Sequence, residues 1–293
     1  MTAIPMDGKS LAAEVEARLK SSVDQMAAAG VRPTLATILV GNDPSSKVYV
    51  ASKHKAAGRV GILSRSHSLP EETSEQELMS LIRGLNSERE VNGILLQLPL
   101  PRHLDELRMI EAIDPGKDVD GLTTTNAGRL AYGSTDLIPC TPRGIMELLH
   151  HYKVPIRSSS AVIVNRSQLV GKPLYHLLLE EDATVTVCHS KSLDLPSITS
   201  RADILVTAVG RRPGFLVTAD MVKEGAAIVD VAMNRVDGKL VGDVDYEGVS
   251  AKASFITPVP GGVGPMTVVM LMQNTVIATQ RQNRMLVPPV RQQ

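Results

Sequence analysis

The chain has 293 residues, 43% of them hydrophobic and 21% charged, and its 31 basic and 31 acidic side chains cancel to zero formal net charge. That is an ordinary globular composition, long enough for about two domains of ~100–200 residues. The neutral balance leaves no electrostatic footprint for nucleic acid or an anionic membrane. With no Trp, two Phe and five Tyr, stacking of successive bases on aromatic rings is not expected either. Cys140 and Cys188 form neither a disulfide framework nor a CxxC pair, and read as thiols of a reducing compartment. The segment MTAIPMDGKS has Asp7 before its first basic residue and no apolar core, so a secretion signal is not expected. The longest apolar run, Met266–Met272, falls short of the ~20 residues that span a bilayer. A soluble, cytoplasmic protein is the expectation.

In chain order, residues 9–29 place Leu11, Val15, Leu19, Val23 and Met26 at helical spacing before Gly30, which predicts an amphipathic helix. Thr34–Val40 and Gly93–Leu98 are short apolar runs suited to strands. Between them 45–60 and 74–89 have helical character, and Ser74 with Glu77 has capping-box spacing. Strands alternating with helices predict an α/β domain with a largely parallel sheet. Beyond residue 140 the rhythm becomes more regular. A helix over 141–152 leads to strands at 161–165, 184–188, 203–208, 226–231 and 254–257, spaced as in a doubly wound unit. A last helix over 265–281 returns to the first domain, and the tail 288–293 is expected to be loose.

Five segments carry candidate chemistry, each with a plainer reading beside it. Tyr49 and Lys53, four apart on a helix, share one face and can touch one ligand, although a surface Lys beside a half-buried Tyr has the same spacing. A lysine, ordinarily near pKa ~10.4, moves protons near neutrality only where its surroundings lower that value. Gln97 interrupts an otherwise apolar strand near its carboxyl end, where α/β sheets place ligands; a structural hydrogen bond to backbone is the alternative. Lys117-Asp-Val-Asp120-Gly121 reads either as turn chemistry or as a carboxylate for paired N–H donors of a heterocycle. Val164–Pro173 (VNRSQLVGKP) follows a strand and precedes a helix, as a phosphate loop does, yet only Gly171 of a generic dinucleotide fingerprint is present. The next strand ends in Cys188-His-Ser190-Lys191 with no acid for ribose hydroxyls; with Arg166 this favours the 2′-phosphate of NADP over a plain surface loop. Finally, Thr257–Thr267 (TPVPGGVGPMT) is a stiff turn that lets backbone approach a ligand, or one that is purely structural.

Taken together, VGNDPSSKVYVASK (40–53), GILLQLPLP (93–101), KDVDG (117–121), PCTPRG (139–144), VNRSQLVGKP (164–173), CHSKS (188–192) and TPVPGGVGPMT (257–267) resemble the bifunctional methylenetetrahydrofolate dehydrogenase/cyclohydrolase family of the bacterial FolD type. The pieces run through nearly the whole chain in the family's order. The resemblance implies NADP-dependent oxidation of 5,10-methylenetetrahydrofolate and hydrolysis of 5,10-methenyltetrahydrofolate to 10-formyltetrahydrofolate, feeding purine biosynthesis. It makes Lys53 the proton-handling group, Gln97 its positioning partner, Tyr49 the residue that orients the folate, and Asp120 the pterin anchor. Pro258, Gly261 and Gly262 border the folate and nicotinamide. Asn165, Arg166, Ser167, Gly171 and Ser190 hold the cofactor phosphates, and Met233 lies near the cofactor. No metal is implied, since no His/Cys cluster has ligand spacing.

The resemblance further implies two α/β domains with an interdomain cleft. The first, 1–140, is completed by the C-terminal helix at about 265–285; the second, 141–264, is a Rossmann-like doubly wound parallel sheet. It also implies a homodimer. Rival readings are a shikimate-dehydrogenase-like or amino-acid-dehydrogenase-like oxidoreductase, and a folate- or nucleotide-binding regulator without turnover. One departure stands out: the family pattern has glycine or a small residue where Asn165 stands. Asn tolerates a left-handed backbone, so the turn is expected to survive with the side chain crowding the pyrophosphate.

Overall fold

The computed structural model describes residues 2–285, so the expected loose tail at 288–293 lies outside the described residues. The chain runs β1 (Ile4–Pro5), α1 (Gly8–Ala28), β2 (Thr34–Val40), α2 (Pro44–Val60), β3 (Leu63–Leu69), α3 (Glu75–Ser87), β4 (Gly93–Leu96), α4 (Glu106–Glu111), α5 (Thr124–Ala131) and α6 (Cys140–His151). It continues through β5 (Ser160–Val164), α7 (Gly171–Glu180), β6 (Thr184–Cys188), α8 (Leu195–Thr199), β7 (Ile204–Thr207), β8 (Ala227–Asp230), β9 (Asn234–Val236), β10 (Lys239–Val241), α9 (Tyr246–Ser250), β11 (Phe255–Ile256) and α10 (Val263–Gln282). The predicted helices and apolar strands all form, with ends shifted by a few residues. The stripe predicted for α1 is buried from Leu11 to Met26.

Two compact units result. One combines the residues up to Ala13 with Thr141–Thr267, and the other combines Glu14–Cys140 with the chain from Val268 onward. The first dozen residues, expected with the folate half, therefore belong with 141–267. The reason is β1, which pairs in parallel with the edge of β11.

In the unit built on 14–140, a three-stranded parallel sheet has the order β3-β2-β4. β2 is buried along its whole length. Ala36, Ile38 and Val40 of β2 pack with Leu78, Ile82 and Leu85 of α3 and with Ile94 and Leu96 of β4. Each fully buried Leu or Ile here contributes roughly 1.5–3 kcal/mol. β3, which periodicity did not predict, is an edge strand of sequence LSRSHSL. Its polar side chains suit a strand that is paired on one side only.

In the other unit a six-stranded parallel sheet has the order β1-β11-β8-β7-β5-β6. Counting from β5, the five long-range neighbours follow the 2-1-3-4-5 order of a doubly wound fold. Val162, Leu205, Ile228 and Ile256 fill one face of its core.

Two buried ionisable groups show what this packing demands. Lys117, only 8% exposed, donates to the carbonyls of Leu85 (2.9 Å), Asn86 (2.7 Å) and Glu88 (2.7 Å). Leu85 and Asn86 lie in the last turn of α3, whose carbonyls lack helical partners, and Glu88 is its C-cap, which also accepts from the Val91 N–H at 3.2 Å. Lys117→Met should therefore destabilise the three-stranded unit by about 2–4 kcal/mol in urea unfolding, the cost of orphaning buried acceptors. Asp230 closes β8 against Asp243, and burial first, aided by Asp243, pushes its carboxyl from 3.8 up to about 6. Between those values the folded chain keeps a proton that the unfolded chain has lost, so stability falls as pH rises through the window. The stability of Asp230→Asn relative to the parent should accordingly climb by about 1–3 kcal/mol from pH 4 to 6 and then level off, as read by unfolding at each pH.

Candidate active site

Parallel sheets bind ligands outside the carboxyl ends of their strands, at the point where strand order reverses. In the three-stranded sheet that point lies between β2 and β4. The helix following β2 is α2, and it is fixed at both ends. Asp43 accepts from the Ser46 N–H at 2.7 Å, Pro44 occupies its first turn, and Gly61 closes it at φ 84° with its N–H on the carbonyls of Ala57 and Gly58. This rigid helix carries Tyr49 and Lys53 one turn apart. Lys53 donates to Oε1 of Gln97 at 3.0 Å. Gln97, the residue after Leu96 of β4, donates its Nε2 to the Leu98 carbonyl at 2.7 Å. The backbone contact fixes which way the amide faces, so its oxygen is presented to the ammonium. The Tyr49 ring is 38% exposed, and burial of the remainder raises its phenol above the ordinary value.

The KDVDG segment separates into structural and available acids. Ile94 bridges Asp118 in parallel, which directs the following residues toward the end of β4 that bears Gln97. Asp118 is buried and accepts from the backbone of Leu122 (3.1 Å) and Thr123 (2.9 Å), the Thr123 hydroxyl (2.8 Å) and Asn126 (2.9 Å). Burial raises its carboxyl despite these bonds. Asp120 is half-buried and has no hydrogen-bond partner among the described residues. Turn chemistry thus falls to Asp118, while the Asp120 carboxylate stays available to a ligand.

The six-stranded sheet reverses order between β5 and β7. Beyond β5 lie Asn165, Arg166 and Ser167; beyond β6, paired with β5 through Val164 and Cys188, lie Ser190 and Lys191. Arg166, Ser190 and Lys191 are exposed on neighbouring strand ends, and Arg166 has no ion-pair partner among the described residues. Met233, past β8, is 45% exposed at the same sheet end. Gly171 is required by close approach, because a Cβ there would meet the Asn165 carbonyl oxygen at 2.1 Å.

Asn165 departs from expectation. It is absent from the non-glycine residues with positive φ, so no left-handed turn is needed. Its Oδ1 accepts from the N–H groups of Ser167 (2.7 Å) and Gly171 (3.0 Å), and its Nδ2 donates to the Ala208 carbonyl (2.7 Å). The side chain is tied back into the protein. The Ser167 hydroxyl takes the Val170 N–H at 3.1 Å. Of the loop, the N–H groups of Arg166, Gln168 and Leu169 are left without acceptors among the described residues. Three such donors beside exposed cations suit a phosphate group.

Thr257–Gly264 leads from β11 into α10. Gly262 donates to the Pro258 carbonyl at 2.8 Å and Lys9 donates to that of Gly261 at 3.0 Å. A Cβ at Gly262 would lie 2.7 Å from the Pro258 oxygen, so this turn has a structural reason for its glycine. Pro258 and Gly261 are half-buried and Gly262 is buried. Asp243, Asn234 and Thr207, which lie behind the β7 and β8 loops, went unnoticed in the sequence because a buried acid within Gly-Asp-Val-Asp has no local signature.

Comparison with known proteins identifies the family. The family model described as tetrahydrofolate dehydrogenase/cyclohydrolase, catalytic domain, matches residues 6–120. Its companion, the NAD(P)-binding domain, matches residues 139–283. The bifunctional protein FolD of Cenarchaeum symbiosum is 55% identical over 273 residues, covering 93% of this chain and 97% of that one. A crystal structure of the bifunctional FolD dehydrogenase/cyclohydrolase from Campylobacter jejuni has a TM-score of 0.93 at 44% identity, covering 97% and 100% of the two chains. The Trypanosoma brucei methylenetetrahydrofolate dehydrogenase-cyclohydrolase, complexed with NADP cofactor and inhibitor, has a TM-score of 0.92 at 36% identity, covering 97% and 99%. The chain belongs to the tetrahydrofolate dehydrogenase/cyclohydrolase family, whose chemistry is an oxidation and a hydrolysis of one-carbon folates.

Proposed function

We propose that the Lys53–Gln97 pair carries the hydrolytic half of an NADP-dependent 5,10-methylenetetrahydrofolate dehydrogenase and 5,10-methenyltetrahydrofolate cyclohydrolase. The observation that carries this is the 3.0 Å hydrogen bond between Lys53 and a Gln97 amide whose orientation is itself fixed. The methenyl bridge is a cation and already electrophilic. Its hydrolysis therefore needs a placed water and a group that handles a proton, and no covalent nucleophile. Lys53, aimed by Gln97, meets that need. Tyr49 on the same helix supplies a ring for the flat pterin, and Asp120, with no protein partner among the described residues, supplies acceptors for its N–H edge.

NADP, when bound, accepts hydride from the one-carbon bridge. Arg166, Ser190 and Lys191 supply positive charge and donors for a 2′-phosphate, the Asn165–Gly171 loop supplies N–H donors for the diphosphate, and Met233 contributes apolar contact. Pro258, Gly261 and Gly262 border folate and nicotinamide. The resemblance to the family supports a cytoplasmic homodimer that serves purine biosynthesis. No helix among the described residues is long and apolar enough to cross a membrane.

Two experiments test these roles. Lys53→Met should reduce methenyltetrahydrofolate hydrolysis by about 100-fold or more while measurable hydride transfer to NADP persists, because general acid–base contributions are commonly of that size. Full hydrolysis by this variant would remove Lys53 from the proton path. Arg166→Ala should raise KM for NADP by about tenfold or more and leave that for NAD nearly unchanged, since only NADP carries the 2′-phosphate. Equal losses for both cofactors would remove Arg166 as its ligand.

A further inference from the structure

The two walls of the crevice between β5 and β7 are joined underneath by a continuous hydrogen-bonded strut. On one wall Asn165 organises the phosphate loop through Ser167 and Gly171, and it crosses the strand reversal to the Ala208 carbonyl. The next two residues of that second wall, Val209 and Gly210, donate their N–H groups to Asp243 at 2.7 Å and 3.0 Å. Asp243, fully buried, also accepts from the Thr207 hydroxyl at the end of β7 (3.0 Å) and from Asn234 Nδ2 beyond β8 (3.2 Å). Asn234 in turn accepts from the Arg212 N–H at 3.1 Å. Both Asp243 oxygens thus accept from groups on the loops around them. One buried acid and one amide thus set the positions of the loops after β5, β7 and β8.

The geometry points to Asn165 and Asp243 as positioning residues for NADP, which hold the phosphate loop and the β7 loop at the spacing the cofactor bridges. This rests on the reading of Asn165–Gly171 as the phosphate loop. Neither side chain needs to touch the cofactor. With the strut intact, the loop that carries the acceptor-free Arg166, Gln168 and Leu169 N–H groups is fixed before NADP arrives, so binding spends little on ordering it. Cutting it leaves donors unpaired and lets the walls separate.

The test uses the full-length enzyme, because its second activity consumes no NADP and reports on folding. Asn165→Ala and Asp243→Asn should each raise KM for NADP about tenfold or more, with dehydrogenase kcat at saturating NADP changed far less. The ratio of dehydrogenase kcat/KM for NADP to cyclohydrolase kcat/KM should fall by a similar factor. Asn165→Asp, which keeps an acceptor for Ser167 and Gly171 but turns a carboxylate oxygen toward the Ala208 carbonyl and puts negative charge beside the diphosphate site, should raise KM for NADP at least as much as Asn165→Ala. If Asp243→Asn loses both activities through misfolding, the two Asn165 variants decide. An unchanged KM for NADP in the Asn165 variants, with Arg166→Ala still impaired toward NADP, overturns the strut and leaves the cofactor reading intact. An unchanged KM in all the variants, Arg166→Ala included, overturns that reading.

Discussion

Parallel pairing is the constraint on which the rest of this molecule depends. Neighbouring parallel strands cannot be joined by a tight turn, so each pair in the two main sheets needs a crossover that returns the chain to the same starting edge. Every carboxyl-terminal loop then emerges at one end of its sheet. In the three-stranded sheet β2 has β3 on one side and β4 on the other, and in the six-stranded sheet β5 has β6 on one side and β7 on the other, giving reversals between β2 and β4 and between β5 and β7. Gln97 and the helix bearing Lys53 flank the first reversal, and Asn165 and Ala208 flank the second. The same topological rule therefore selects both the proposed proton-handling pair and the proposed cofactor crevice. Side-chain chemistry decides only what each opening does.

What was legible in the sequence followed from local contrast. Gln97 was conspicuous because an amide inside an apolar strand is an anomaly, and Tyr49 with Lys53 because helical spacing brings them to one face. The proposed phosphate loop stood out by its place between an apolar strand and Pro173. β3 was invisible for the opposite reason: Ser64, Arg65, Ser66, His67 and Ser68 show no apolar alternation, and only pairing with β2 holds them extended. The division of labour within KDVDG was also hidden, since Asp118 and Asp120 look alike until burial distinguishes them. Asn165 shows how a residue type can suggest the wrong geometry. Its type suggested a left-handed turn, whereas its partners at Gly171 and Ala208 come from another element and another strand.

Both units satisfy buried polar groups with side chains that are themselves buried and oriented. Lys117 completes the end of α3, Asp118 ties the start of α5, and Asn274 of α10 donates to the carbonyls of Val119 and Ile138 at 2.8 Å each. Such bonds add modest net stability when made and cost more when broken. Their larger effect is directional, since they leave one arrangement of the loops in which no donor or acceptor is orphaned. That selectivity is what a site built on loops requires, because a small misplacement of a proton-handling group costs more rate than the same shift costs stability.

The discontinuity of the two units has a consequence for how the chain acquires its structure. The six-stranded sheet takes its last strand from residues 4–5, where Ile4 and the following Met6 donate to the carbonyls of Ser254 and Ile256 at 2.8 Å each. The other unit takes Asn274 and its surrounding helix from beyond residue 268. During synthesis, then, the opening segment must wait for a partner made near the end, and the three-stranded unit lacks a helix until α10 has emerged. Neither unit can finish as a freestanding domain in the order in which it is translated, so completion of both is coupled to the arrival of the same final stretch.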